Sequence, residues 1–464
     1  MRDALLMVVV AIIAVMAVFA PRYGLLGYLW YAIFRPDIFA FSSGRPYSMI
    51  LAVVTAASSI RAMPHALELM RNPFVWIFLG YQAWTGLSVL MAQNVKLCFP
   101  GYNFFLTTSA IVLLIPLLIR TQEHFRILMQ VLAASIGFLG GKMGLYGILA
   151  GGAVFVQGYG GYLNDNNLLA LAIVMGVPLL WYALLQTSYL PLKAFFGFML
   201  LTSLAAIAMC HSRGGILSLA CVMVLMAWHS KRRVAAFVFI GLLALPGAWL
   251  VKDTLIARMS TLSNVEEDES AMGRLAFWKA ALKVSRDYPL FGVGFGSDNY
   301  RVISGSYIEG NFSATGLVVH NTYFQMLADS GYPTLILYCI FLFSCIIWLK
   351  RHGNSVKESN PEEYMWAEAL RISLIGFAIG SFFLSRVTYD FPYILLMAAV
   401  AMYQIKSQAA GAPAVQLPVP AGALVPPDPL PGVPIGPQVP DPPGDEPAWK
   451  RAGAGRKLRS RQRV

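Results

Sequence analysis

The chain has 464 residues, 57% of them hydrophobic and 12% charged, with a mean hydropathy of +0.61 and a net charge of +12. Soluble domains carry about 25% charged residues, so this composition excludes an ordinary soluble protein and sends the repeated apolar runs into a bilayer. The positive charge fits positive-inside bias and a basic C-terminal end, and no nucleic-acid partner is expected.

Hydrocarbon offers no partners for backbone polar groups, so the spans must be helices. The expected fold is all-α: a polytopic integral membrane protein with about 12 transmembrane helices and one large periplasmic loop. The apolar runs place the first span at about residues 4–20 and the last at about 391–405. The first resembles a signal peptide, but Pro21-Arg22 stands where a small-residue cleavage pattern belongs, so a retained helix is expected. Gly24 to Phe34 holds only about eleven residues, short of the roughly 17 needed to cross, and reads as interfacial or re-entrant. Arg61, Arg71, Arg120, Arg126, Lys193, Lys231, Arg232, Arg233, Lys350, Arg351, Lys357 and Arg371 fall in one set of alternating loops. That set is expected to be cytoplasmic, with both termini on the same side.

Lys142 lies in the otherwise apolar stretch Phe138-Leu-Gly-Gly-Lys-Met-Gly144. A charge inside a span is costly and marks a functional position by default. Its glycine neighbours allow a ligand or another helix to come close. Asn164-Asp165-Asn166-Asn167 precedes the next apolar helix, where one residue serves as a cap and the others suit sugar hydroxyls. Arg213 follows Cys210-His211-Ser212 at the start of a helix beginning near Gly214. A guanidinium beside a helix N-terminus suits an anion, and a diphosphate matches it bidentately.

Residues 252–319 form the one long outer loop. Within it, Gly273 to Arg286 reads as a helix, carrying Arg274, Trp278 and Arg286. Pro289 ends it, and Phe291-Gly-Val-Gly-Phe-Gly296 makes a flexible turn before Arg301. His320 closes the loop, followed by Asn321 or Thr322 as a cap and by a break at Gly331-Tyr332-Pro333. A histidine there suits general-base chemistry near neutral pH. Cys98, Cys210, Cys221, Cys339 and Cys345 show no paired spacing, so neither a disulfide framework nor a metal site is expected. Residues 406–464 read as a disordered, Pro-rich, basic cytoplasmic tail.

Three features follow one another in order: Arg213-x3-Leu217, the long loop with Gly273-Arg274…Trp278 and Phe291 to Gly296, and His320-Asn321-Thr322 before Gly331. Together they resemble the O-antigen ligase and polymerase superfamily, over a membrane domain of residues 1–405. Ser135 to Lys142 and Asn164 to Ala170 are similar to its exosortase-associated O-glycosylation ligase branch. The resemblance implies a glycan ligase of the bacterial inner membrane. It would take a glycan from undecaprenyl diphosphate at the periplasmic face and transfer it to an acceptor hydroxyl, without cofactor or metal. The acceptor would be a protein or lipid. Arg213 and Arg274 would hold the diphosphate and His320 would be the base. Lys142, Asp165, Asn166, Asn167, Arg286, Arg301 and Asn321 are the substrate-binding candidates. A polymerase of lipid-linked repeat units is the closest alternative, and a polysaccharide transporter or flippase is the next.

Overall fold

The computed structural model describes residues 2–40, 44–151, 156, 158, 161–230, 232–250, 269–308 and 318–411. The expected tail beyond Gly411 and the first part of the long loop lie outside the described residues. Among the described residues there are helices and turns and no strand. Eight helical stretches among these described residues are long and apolar enough to cross a membrane. The chain is therefore an all-α polytopic membrane protein.

The helices in order are α1 (Arg2–Phe19), α2 (Pro21–Phe34), α3 (Pro36–Phe39), α4 (Tyr47–Ser58), α5 (Ala66–Leu69) and α6 (Pro73–Leu90). Next come α7 (Val95–Leu118), α8 (Gln122–Leu149), α9 (Asn166–Gln186), α10 (Leu190–Met209), α11 (Arg213–His229) and α12 (Arg233–Leu250). They are followed by α13 (Glu269–Asp287), α14 (Asp298–Ile303), α15 (Thr322–Val356), α16 (Pro361–Gly380) and α17 (Asp390–Gly411). Many begin on a side chain that satisfies the first free amides. Asn72, Asn94, Thr121, Asp165, Ser212, Asn321 and Asn360 all serve in this way.

α9 is the axis of the bundle: every side chain from Leu168 to Leu180 is buried, against α8, α10, α11 and α16. The glycines flanking Lys142 admit a helix rather than a ligand. A Cβ on Gly144 would overlap the Thr202 carbonyl of α10, so the two backbones touch. Lys142 itself places its Nζ 3.3 Å from the centroid of the Phe39 ring on α3.

α2 departs from the sequence expectation. It runs antiparallel along α1: Gly24 faces Ala17, Gly27 faces Ile13, and Tyr31 clusters with Leu6 and Val10. The length rule assumes a helix that meets lipid on its own. α2 has 14 residues but is packed between α1, α4 and α8. The start of α1 thus lies at the end of the bundle where α9, α11 and α15 begin, and α17 finishes at the other. The expectation that both termini share a side does not hold for the described helices.

That other end carries the basic turns. Arg120 pairs with Glu68 at 2.8 Å, Gln408 donates to the same Glu68 carboxylate, and Arg126 lies 4.0 Å from Glu362.

The part of the long loop that is described forms an arm. Ala281, Val284, Val293, Tyr300, Val319 and Ala328 make a small core of their own, with Trp278 and Phe324 packed against it. The arm is anchored by backbone. α15 is broken at Gly331, whose φ of 79° and ψ of 177° suit only glycine. The break leaves the carbonyls of Ala328 and Asp329 open, and the amides of Val293 and Gly294 donate to them at 3.0 and 2.8 Å. Side chains on Gly292 or Gly331 would overlap the opposing backbone. Trp84 Nε1 and Ser88 Oγ on α6 complete the anchor by donating to the carbonyls of Leu290 and Phe291.

Candidate active site

Three helix N-termini converge at one end of the bundle: those of α9, α11 and α15. Each begins on a capping side chain, and two share a rarer feature. His211 (φ 49°) and His320 (φ 53°) both take the left-handed conformation immediately before the caps Ser212 and Asn321. A non-glycine residue held there costs of order 1 kcal/mol or more and persists only where its surroundings impose it.

The surroundings of His320 are specific. Trp278 Nε1 donates to the carbonyl of Val319 at 3.0 Å, which ties α13 to the residue before the histidine. Arg274 lies four residues earlier, on the same helix face as Trp278. This brings the Arg274 guanidinium close enough to act on the imidazole. On the other side, Ser385 Oγ accepts from the Asn321 amide at 3.2 Å and Thr322 Oγ1 donates to the Leu384 carbonyl at 2.5 Å. The segment 384–386 is thereby fixed against the turn that carries His320. From it Arg386 reaches Asp165, Nη2 to Oδ2 at 3.3 Å.

The charges acting on His320 are Arg274, Asp165 and Arg386. Burial pushes its pKa below the ordinary 6.5, the two arginines push in the same direction, and Asp165 opposes them. The ring is thus favoured in its neutral, proton-accepting form.

The sequence-predicted residues divide into those that join this cluster and those that do not. Asp165 caps α9, its Oδ1 accepting from the amides of Asn167 and Leu168. Asn166 donates to the Cys210 carbonyl at 2.7 Å, which holds the start of α11 beside the start of α9. Arg213 is the first residue of α11, partly buried, and stands near the cluster through the start of its helix without being one of the charges that act on His320. A narrow crevice of about 10 Å³, room for about one water, is lined by Asn167, Ser212, Gly214, Gly215, Phe383 and Leu384 among others. Asn321 Oδ1 caps α15, and its Nδ2 is buried without a hydrogen-bond partner among the described residues.

Lys142 is engaged with Phe39 and is not among the charges acting on His320. Arg286 is exposed near the end of α13, and Arg301 pairs with Asp298 at 3.4 Å on the surface of the arm. Sequence reasoning does not single out Arg386. Its signal is faint: one arginine next to Ser385, in a turn between two apolar helices. Among the described residues, no three His, Cys, Asp or Glu side chains are grouped so as to hold a metal ion.

Comparison with curated proteins finds no match. Residues 1–188 match the model of a family of unknown function. Residues 198–339 match the family model described as O-antigen ligase. That segment runs from α10 to the middle of α15 and contains Arg213, Arg274 and His320, so this part of the chain matches an O-antigen ligase domain.

Proposed function

We propose that the protein is a glycan ligase that uses an undecaprenyl-diphosphate-linked donor. It transfers the glycan to a hydroxyl of an acceptor protein or lipid at the periplasmic face of the inner membrane. The observation that carries this reading is a neutral-leaning histidine on which two arginines, Arg274 and Arg386, act, set where three helix N-termini meet. Helix N-termini and guanidinium groups suit a diphosphate, and a buried imidazole beside them suits proton removal.

In the reaction, His320 takes the proton of the acceptor hydroxyl as its oxygen bonds to the anomeric carbon. The bond from that carbon to the diphosphate oxygen breaks, and the electron pair leaves with the diphosphate. Arg213 and Arg274 stabilise the charge that develops there. Arg213 lies at the end of a membrane helix, within reach of a donor whose lipid stays in the bilayer.

The test is the mass of acceptor-linked glycan in cells with and without the protein. The expected result is loss of the intact glycan from its acceptor while lipid-linked glycan persists at full length. Shortened lipid-linked chains with acceptor transfer unchanged would instead identify a polymerase.

Orientation is a second expectation. The opposite end of the bundle holds Arg61, Arg71, Arg120, Arg126, Lys193, Arg232, Arg233, Lys350, Arg351 and Lys357, the bias of a cytoplasmic face. Ser306 on the arm and Ser355 at the end of α15 are both exposed. In a background without native cysteines, an impermeant thiol reagent should label Ser306→Cys but not Ser355→Cys in spheroplasts. The reverse pattern overturns the periplasmic placement.

A further inference from the structure

We propose that Arg386 is a third donor-binding cation, that Asp165 is its resting counter-ion, and that the donor's diphosphate takes the place of the Asp165 carboxylate. This rests on the lipid-diphosphate donor proposed above and extends it to a residue outside both segments matched by family models.

Arg386 is placed by main chain. Its own amide donates to Thr322 Oγ1 at 3.4 Å, beside the bonds from Asn321 to Ser385 and from Thr322 to Leu384. The guanidinium therefore keeps a fixed register with His320, two residues from the start of α15. Its reach ends at Asp165, on the cap of α9. The crevice lined by Asn167, Ser212, Gly214 and Leu384 lies among the segments that carry Asp165, Arg213 and Arg386. The start of α11, which carries Arg213, is tied to the cap of α9 by Asn166, which donates to the Cys210 carbonyl at 2.7 Å.

The pairing with Asp165 is of a kind that can exchange. The contact is 3.3 Å long, and both side chains are about a quarter exposed, at 24% and 26%. Such pairs contribute little net stability. A diphosphate offers more negative charge and more acceptor oxygens, and it meets a guanidinium bidentately. Asp165 has a second occupation that survives the exchange: its Oδ1 caps α9. One carboxylate thus carries two separable roles, a cap on one oxygen and a counter-ion on the other.

Asparagine caps a helix as well as aspartate does. Asp165→Asn therefore keeps the cap and removes the counter-ion. The experiment measures binding of undecaprenyl diphosphate to the full chain in nanodiscs, with undecaprenol as the uncharged control. Arg386→Gln is expected to weaken undecaprenyl diphosphate at least tenfold. Asp165→Asn is expected to tighten it several-fold, and the double variant should lose that gain. A permanent structural pair predicts something else: both variants melt earlier and bind as the wild type does, which would overturn the proposal. Weakened binding in Arg213→Gln with none in Arg386→Gln overturns it too, while leaving the donor reading in place. Equal binding of undecaprenyl diphosphate and undecaprenol by the wild type overturns the donor reading and this inference together.

Discussion

Replacing His320 by alanine is expected to lower glycan transfer by roughly 10²–10⁴-fold, the range of a lost general base, with the donor still bound. The histidine is held in a left-handed turn between the arm and α15, so its position does not depend on substrate. Its pH behaviour follows from its neighbours. The base works deprotonated, so activity is present above the His320 pKa and is lost as pH falls through it. Burial, and Arg274 after it, lower that pKa below 6.5, so the acid limb of the rate profile should lie below 6.5. Arg274→Gln removes a repelling charge, raises the pKa, and moves the acid limb to higher pH. Asp165→Asn removes an attracting charge and moves it lower. Single-turnover rates with preloaded donor, measured across pH, separate these shifts from donor affinity. If His320→Gln kept most of the activity with an unchanged acid limb, the base would have to be another group.

The second large effect is expected at Arg213 and Arg274. Hydrogen bonds to charged groups contribute about 1.5–3 kcal/mol each, so losing a bidentate pair corresponds to roughly 10²–10⁴-fold in donor binding or rate. Arg→Lys should impair transfer nearly as much as Arg→Ala, because lysine is a point charge without the planar fork. The two positions differ in what else they do. Arg213 heads α11, where the helix dipole adds to its charge, and should act chiefly on the donor. Arg274 also acts on His320, so its variants should alter both donor affinity and the pH profile. Full transfer by Arg213→Ala at normal protein levels would remove the diphosphate clamp from the mechanism.

Much of this arrangement was legible in the sequence, because it lies where local signals are strong. Long apolar runs identify spans whatever surrounds them. A cap was readable within Asn164 to Asn167 and at Asn321 or Thr322, and Asp165 and Asn321 are the residues that cap; Ser212 caps α11 as well, without having been singled out. The Gly331 break and the arm helix were also readable from residue type and spacing. The failures are tertiary. Lys142 is a charge in a span, and sequence alone does not say which face it occupies; it lies over Phe39. Arg286 and Arg301 are basic and in the right loop, yet Arg286 is exposed and Arg301 is turned toward Asp298. Arg386 is separated by 66 residues from His320, and only the hydrogen bonds of Ser385 and Leu384 bring it there. α2 was misjudged because a length rule for isolated helices does not apply to one lodged among three others.

The arm meets α15 through peptide groups, with Gly292 and Gly331 each laid against the other segment's backbone, and this divides labour along the chain. Anchorage there makes few demands on side chains: none is tolerated at Gly292 and Gly331, and Trp84 and Ser88 on α6 supply the two donors that complete it. The exposed face of α13 can therefore diverge freely in sequence while Arg274 keeps its address beside His320. Within such a scaffold, a change of acceptor need not be a change of architecture. New recognition can be written on the outside of the arm, and the transfer chemistry beneath it is left as it was.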